Sequence, residues 1–534
     1  MVAARRARWL PTGEPGGCRP EGLVVANRRT GGCCCGVIAA IIKNRGDVSK
    51  TPPKFARSIL NTKSRDPMKT AHHELVILGG GPAGYVAAIR AAQLGIDVAC
   101  VDENDRFGGT CLRVGCIPSK ALLESSHLYE EAQHRMVDHG ITVGDVQLDL
   151  ATLMARKTKI VDTLTGGIDL LFKKRGVTGY RGRGKFRDIN TIEIAAGDTG
   201  GEDVQIEADR VMICTGSVPS RLRGVEEDDD RIGNSTTALS FGDVPDRLVV
   251  IGGGYIGLEL GSVWNRLGSE VIVLEALDRI LPGMDHEIAA MAHRIFKKQG
   301  LKFHTSTFVE SATRDGDKCH VKIKDGDTIE CDRVLLSTGR TPATDSLGLE
   351  SIGLETDNRG FIPVNKHFET AAEKVYAVGD CIGGAMLAHK AMEEGIVCVE
   401  RMAGMETHMN YDVIPAIVYT HPEIASVGRT EEQLVELGIE FNKGTCPFGA
   451  NGRARTIGEH DGRVKILADK WTDRVLGVHI IGARAGDLIA EAAAAMEYGA
   501  SSEDIARTCH AHPTLAEAVH EAAMDVDQRA IHTV

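Results

Sequence analysis

Two copies of one local pattern constrain the fold of this chain more than anything else in it. Residues 74–78 (ELVIL) form a short apolar run that enters Gly79, Gly81 and Gly84 in G-x-G-x-x-G spacing. An Ala-rich helical stretch follows to Gly95, and a second apolar run, residues 97–101, ends at Asp102. The arrangement then recurs. RLVVI at 247–251 leads into Gly252, Gly254 and Gly257, a helix is expected over 258–267, and the strand at 270–274 ends at Glu275. From first glycine to acid the interval is 23 residues both times. In a strand–turn–helix–strand unit such glycines permit a tight turn and let a pyrophosphate approach the helix N-terminus, while the acid accepts ribose hydroxyls. One such glycine motif is weak evidence. Two complete units in register predict an α/β fold with two Rossmann-like dinucleotide-binding domains.

Directly after the first unit comes GGTCLRVGCIPSK, residues 108–120, with Cys111 and Cys116 separated by four residues. Gly108 and Gly109 break the chain before Cys111, and helix is expected from Ala121 onwards. Both thiols are thus placed in or beside a first helical turn, where the dipole favours a thiolate. A redox pair beside the first unit marks that unit for a redox cofactor, FAD. The second unit then takes a nicotinamide. Glu275 suits a free ribose 2′-hydroxyl and repels a 2′-phosphate, residues 276–278 offer no cation, and Arg279 lies close by. The expectation is NAD over NADP.

Composition narrows the class further. The 534 residues carry 62 Lys and Arg against 74 Asp and Glu, but the charge is uneven. Residues 1–67 hold 13 basic and 4 acidic side chains, leaving 49 basic and 70 acidic in the remainder. That acidic body argues against nucleic acid or an anionic membrane as partner. Most of the 14 cysteines stand singly in apolar runs (Cys100, Cys214, Cys398), as small buried hydrophobes do. A reducing compartment follows, in which a paired-cysteine motif points to chemistry over stapling. No metal is expected, because Cys33, Cys34 and Cys35 lack a second ligand pair at zinc spacing.

The leader, residues 1–67, is rich in Arg, Gly and Pro, and its apolar run at 37–42 is far short of the ~20 residues that cross a bilayer. An Arg-rich, acid-poor leader fits a transit peptide, although this one is poor in Ser. The favoured alternative is an upstream extension without a fold, with the natural start at Met68. The protein is accordingly expected in the cytoplasm, or in the mitochondrial matrix if the leader is a transit peptide.

Near the C-terminus, HAHPTLAEA (residues 510–518) supplies His512 and Glu517. Oxidising a dithiol needs a group that removes a thiol proton, and an imidazole oriented by a carboxylate does this at neutral pH. His-Pro in a loop is equally consistent with turn chemistry when read alone.

The run GGTCLRVGCIPSK, the two fingerprints, YAVGD at 376–380 and HAHPTLAEA together resemble the flavin-dependent pyridine nucleotide–disulfide oxidoreductases, and among them the branch that oxidises dihydrolipoamide. The resemblance covers residues 70–534. It implies Cys111 as the interchange thiol and Cys116 as the charge-transfer thiol against the flavin, with Lys120 and Glu259 as an ion pair at the flavin's reactive edge. On the FAD side it adds Gly184, Thr215, Gly216, Ser217, Asp380, Met386, Leu387, Ala388 and His389. On the NAD side it adds Val309 and Gly339, with Glu259. It further implies that the C-terminal loop of one subunit completes the dithiol site of the other, hence an obligate homodimer. A lipoyl arm on an acyltransferase or on the glycine cleavage H protein would deliver the dithiol. One residue departs from the family pattern: Arg113 stands where many members have Asn.

The expected layout is a leader at 1–67, an FAD-binding domain at 68–216 with the redox pair, an NAD-binding domain at 217–340, a return to the FAD-binding domain at 341–410, and an α+β dimerisation domain at 411–534. The acidic run at 226–230 reads as a solvated loop. Rival readings are a glutathione or mercuric reductase running in the opposite direction, and a two-nucleotide binding module without disulfide chemistry. The absence of a cysteine pair after Cys509 weighs against mercuric reductase, and Cys111, Cys116 and His512 weigh against the module.

Overall fold

The computed structural model describes residues 69–195 and 203–533, so the readings of the leader and of Met68 lie outside the described residues. The first unit opens with β1 (Lys69–Leu78), α1 (Pro82–Gln93) and β2 (Val98–Asp102). Then come two helices separated by one residue, α2 (Gly109–Val114) and α3 (Cys116–His134), and the long α4 (Leu150–Arg175). Strands β3 (Thr178–Arg181), β4 (Arg183–Asp188), β5 (Thr191–Ala195) and β6 (Val204–Ile213) complete the sheet in the order β3-β2-β1-β6-β5-β4. A seventh strand, Val375–Ala377, returns after the second unit to pair in parallel with β6. β2 is buried along its whole length, as a strand covered on both faces must be.

The second unit builds a five-stranded sheet from β7 (Ile232–Gly233), β8 (Arg247–Ile251), β9 (Glu270–Leu274), β10 (Lys302–His304) and β11 (Arg333–Leu336), all pairs parallel, in the order β10-β9-β8-β11-β7. Its helices are α5 (Tyr255–Arg266) and α6 (His286–Lys298), and an antiparallel three-stranded sheet (Val309–Asp315, Lys318–Ile323, Thr328–Cys331) sits between β10 and β11 in the chain. After α7 (Ala388–Met402), a third sheet is fully antiparallel. It runs β12-β13-β16-β15-β14, from β12 (Ala416–Val418), β13 (Glu423–Gly428), β14 (Phe441–Pro447), β15 (Arg463–Asp469) and β16 (Val475–Gly482).

Both glycine turns are closed by the same steric device. Gly79 and Gly252 hold φ of 105° and 110°, where a side chain is disfavoured. A Cβ on Gly84 would come within 1.7 Å of Gly79 O, and one on Gly257 within 2.3 Å of Gly252 O. The helix therefore seats directly on its turn. The redox helix α3 in turn packs on the second unit: Leu122 and Leu123 share one buried core with Leu258, Val263 and Trp264 of α5. That packing carries the start of α3 to the junction of the two nucleotide units.

One boundary is corrected. Helix resumes at Cys116, five residues before Ala121, because Pro118 falls in the first turn, where its missing N–H costs nothing. The acidic run at 226–230 is an exposed loop, as expected, and it is locally ordered: Asp228 accepts the N–H groups of Asp230, Arg231 and Ile232, and Asp228 and Asp230 both pair with Arg314 at 2.9 Å.

Candidate active site

A cavity of about 1510 Å³ runs from the first fingerprint past the cysteines to the second. Gly79, Gly81, Asp102, Gly184 and Thr215–Ser217 line one end, with Asp380 and Met386–His389 beside them. Cys111, Cys116, Lys120 and Glu259 line the middle. Gly252, Gly254, Glu275, Val309 and Gly339 line the other end.

Four expected residues do not line it. Gly84 and Gly257 are set back behind their turns, where their role is to let helix and turn touch. His512 and Glu517 lie apart from the cavity, with the His512 side chain 78% exposed in the single chain. They do form a pair: His512 Nδ1 lies 2.8 Å from one Glu517 oxygen, and the other oxygen accepts the Thr514 N–H at 2.8 Å. Desolvation pushes the Glu517 carboxyl up, but the Thr514 amide and His512 outweigh it and hold the group low.

The acids that end β2 and β9 behave alike. Asp102 accepts the Gly80 N–H at 2.7 Å and the Asn104 N–H at 2.9 Å. Glu275 accepts the Gly253 N–H at 2.6 Å and the Leu277 N–H at 2.8 Å. Each carboxylate is locked against its glycine turn with lone pairs to spare for a ribose. Arg279 does not line the cavity and donates a long bond, 3.4 Å, to Pro282 O. Among the described residues Glu275 forms no ion pair, while its oxygens are held by backbone N–H groups.

Cys111 sits inside α2 and Cys116 is the first residue of α3, divided by Gly115. The neighbouring Cys111 thiol is the largest reason the Cys116 pKa is lowered to about 7, with the Lys120 charge adding to it and burial and Glu259 opposing. The Cys116 thiol and burial push Cys111 up. A single negative charge on the pair is therefore favoured at Cys116, at a helix N-terminus facing the cavity.

One turn along α3, Lys120 Nζ meets Glu259 Oε2 at 2.8 Å, joining the redox helix to α5. Sequence reasoning missed what fixes this pair. The Tyr419 N–H donates to the other Glu259 oxygen at 3.0 Å, and Lys120 Nζ lies 4.4 Å from the centre of the Tyr419 ring. It also missed Arg340, whose Nε donates to Ser217 Oγ at 2.7 Å while Ser217 Oγ donates to Asp380 at 2.5 Å. Arg340 directly follows Gly339 in STGR, so the motif signalled it; no local signal marked Tyr419.

The residues at the first end of the cavity fit FAD. Thr215 Oγ1 is buried without a hydrogen-bond partner and belongs to a residue of the cavity wall, the condition of a group awaiting a ligand. At the second end, a Cβ on Gly254 would meet no protein atom within 4 Å and would project into open space, which suits a pyrophosphate at the start of α5.

Residues 73–395 match the family described as "Pyridine nucleotide-disulphide oxidoreductase", and residues 414–523 match that family's dimerisation domain. The chain belongs to this family. Among curated relatives, "Dihydrolipoyl dehydrogenase, mitochondrial" of Pisum sativum is 51% identical over 465 residues, covering 86% of this chain and 92% of its own. "Leghemoglobin reductase" of Glycine max is 50% identical over 457 residues, covering 85% of this chain and 87% of its own. The solved structure of LpdA from Mycobacterium tuberculosis shares the fold with a TM-score of 0.79 at 29% identity, covering 85% of this chain and 99% of that one.

Proposed function

We propose that this chain is a dihydrolipoyl dehydrogenase, oxidising a protein-bound dihydrolipoamide through Cys111 and Cys116 with FAD and NAD. The observation that carries this reading is the placement of Cys111 and Cys116, beside the Lys120–Glu259 pair, in one cavity lined by both glycine fingerprints. Starting from the Cys111–Cys116 disulfide, a substrate thiolate attacks Cys111 and Cys116 leaves as a thiolate. Leaving is favoured by its lowered pKa. The second substrate thiolate then attacks the mixed disulfide, closing the lipoamide ring and releasing Cys111. The two substrate protons go to Cys111 and to an imidazole, which we assign to His512. Held there, FAD would supply the two-electron relay between these thiols and the nicotinamide. Gly79, Gly81, Asp102, Gly184, Thr215–Ser217, Asp380 and Met386–His389 would hold FAD. Gly252, Gly254, Glu275, Val309 and Gly339 would hold NAD, with Lys120–Glu259 between the two.

His512 and Glu517 lie away from the cysteines of their own chain, so we assign them to the partner's dithiol site in a homodimer built through residues 414–523. The dithiol arm would come from a lipoylated acyltransferase or the glycine cleavage H protein. The mitochondrial name of the pea relative and the Arg-rich, acid-poor leader support the matrix over the cytoplasm. The acting test is NADH formation from dihydrolipoamide. Cys111→Ser should abolish it while FAD stays bound, and turnover retained in Cys111→Ser would defeat the reading. One observation favours a second acceptor: the soybean relative is named for leghemoglobin reduction. NADH-driven reduction of a ferric haem protein that survives Cys111→Ser would assign that activity to the flavin alone.

A further inference from the structure

The wall of the second nucleotide site is held from outside its own domain. Leu277, Leu281, Pro282, Gly283 and Met284 follow Glu275 and line the cavity. Leu281 adopts φ 51°, a left-handed conformation that a leucine takes only when its surroundings impose it. Within the domain, the Leu281 N–H donates to Gly253 O at 3.0 Å, which ties the loop to the fingerprint turn. At the far end of the loop, Asp285 is fully buried and caps α6 by accepting the N–H of Glu287 at 3.1 Å.

Both Asp285 oxygens are gripped by Lys465 Nζ, at 3.0 and 2.9 Å. Lys465 is on β15, in the dimerisation domain, and it too is fully buried. The same ammonium meets Glu431 at 2.5 Å and Glu287 at 3.4 Å, and these carboxylates are met in turn by Lys443 and Arg463. A second tie runs beside it: Ser426 Oγ on β13 donates to Met284 Sδ at 3.3 Å. The fully buried pair at its centre, Lys465 and Asp285, gives little net stability, because desolvation offsets its attraction, but it fixes geometry, since parting the two is costly. What it fixes here is the end of a strained loop lining the nicotinamide side.

We propose that Lys465 is a positioning residue for the nicotinamide nucleotide, holding the 276–284 wall through Asp285 so that the dimerisation domain sets NAD affinity. This rests on the reading that the second fingerprint binds NAD. The test uses the FAD-loaded dimer as wild type, Lys465→Met and Lys465→Arg. Two quantities are read: the Kd for NAD by calorimetry, and the rate at which dihydrolipoamide reduces the enzyme without NAD. Lys465→Met should raise the Kd roughly tenfold with the dithiol step at its wild-type rate, and Lys465→Arg should recover most of the affinity. An unchanged Kd in a folded dimer overturns the inference, as does a Kd and a dithiol step that worsen together. If Lys465→Met yields no soluble dimer, Ser426→Ala carries the test with the buried ions intact. A weaker Kd then supports the inference and an unchanged one overturns it. A wild type that binds no NAD defeats the reading of the fingerprint and the inference with it, whereas equal binding by wild type and variants defeats the inference alone.

Discussion

Three features favour a thiolate at Cys116: the neighbouring Cys111 thiol, the Lys120 charge one turn further along α3, and its place at the first helical position. Its pKa is lowered, so the thiolate is present above about pH 7 and is lost as the pH falls through that value. An unperturbed thiol titrates near 8.5, about a unit and a half higher. The Cys116-dependent thiolate absorbance of the reduced enzyme, taken as the difference from Cys116→Ser, should therefore rise with a midpoint near 7. Cys111→Ala removes the neighbouring thiol, so there the midpoint should move up towards the ordinary value. A wild-type midpoint near 8.5, or one indifferent to Cys111, would contradict the assignment. At this scale the sequence was informative wherever a side chain does the chemistry. Cys111, Cys116, Lys120 and Glu259 stand in spaced motifs and meet in one cavity. Tyr419 escaped because its contribution is a backbone amide and a ring face brought in from 160 residues away, which no local pattern encodes.

Among elements, the strand–turn–helix units were the most legible part of the chain, because only glycine lets a helix seat on its own entry turn. Gly84→Ala would force a Cβ to 1.7 Å from Gly79 O, and Gly257→Ala to 2.3 Å from Gly252 O. The obstacle is backbone in both cases, so the turn must move. Gly84→Ala should purify with most of its FAD lost, and Gly257→Ala should keep FAD but bind NAD at least roughly tenfold more weakly. Flavin content per chain and a Kd for NAD read these outcomes, and full flavin occupancy in Gly84→Ala would show that the turn tolerates the methyl group. Boundaries were less legible than existence. Helix was expected from Ala121 and begins at Cys116, with Pro118 accommodated in the first turn. The three-stranded sheet at 309–331 was not foreseen: Val309–Asp315 buries only Ala312 and gives little signal, although Lys318–Ile323 does alternate, burying Cys319 and Val321.

For the whole molecule, a single chain keeps the His512–Glu517 pair out of the cavity that the cysteines line. His512, exposed before the helix Glu517–Asp525, pairs with that helix's first residue, and the cysteines face the cavity. Motif recognition could find both sets, but the sequence pattern of one chain gives no measure of the distance between them. Mixed dimers test the division. Cys111→Ser and His512→Gln homodimers should each be inactive or nearly so. A heterodimer of the two should regain one working site of two, hence about half of wild-type turnover, because one site then has intact cysteines facing an intact histidine. A heterodimer as inactive as its parents would mean that each chain serves its own site. Anaerobic titration of the FAD-loaded enzyme with dihydrolipoamide, followed by NAD, shows whether electrons pass from a dithiol through Cys111 and Cys116 to a bound nicotinamide. One equivalent of dithiol per active site should bring up a long-wavelength thiolate–flavin absorption, and NAD should discharge it with one equivalent of NADH. If dihydrolipoamide leaves the spectrum unchanged while NADH reduces the flavin normally, the dithiol assignment is contradicted.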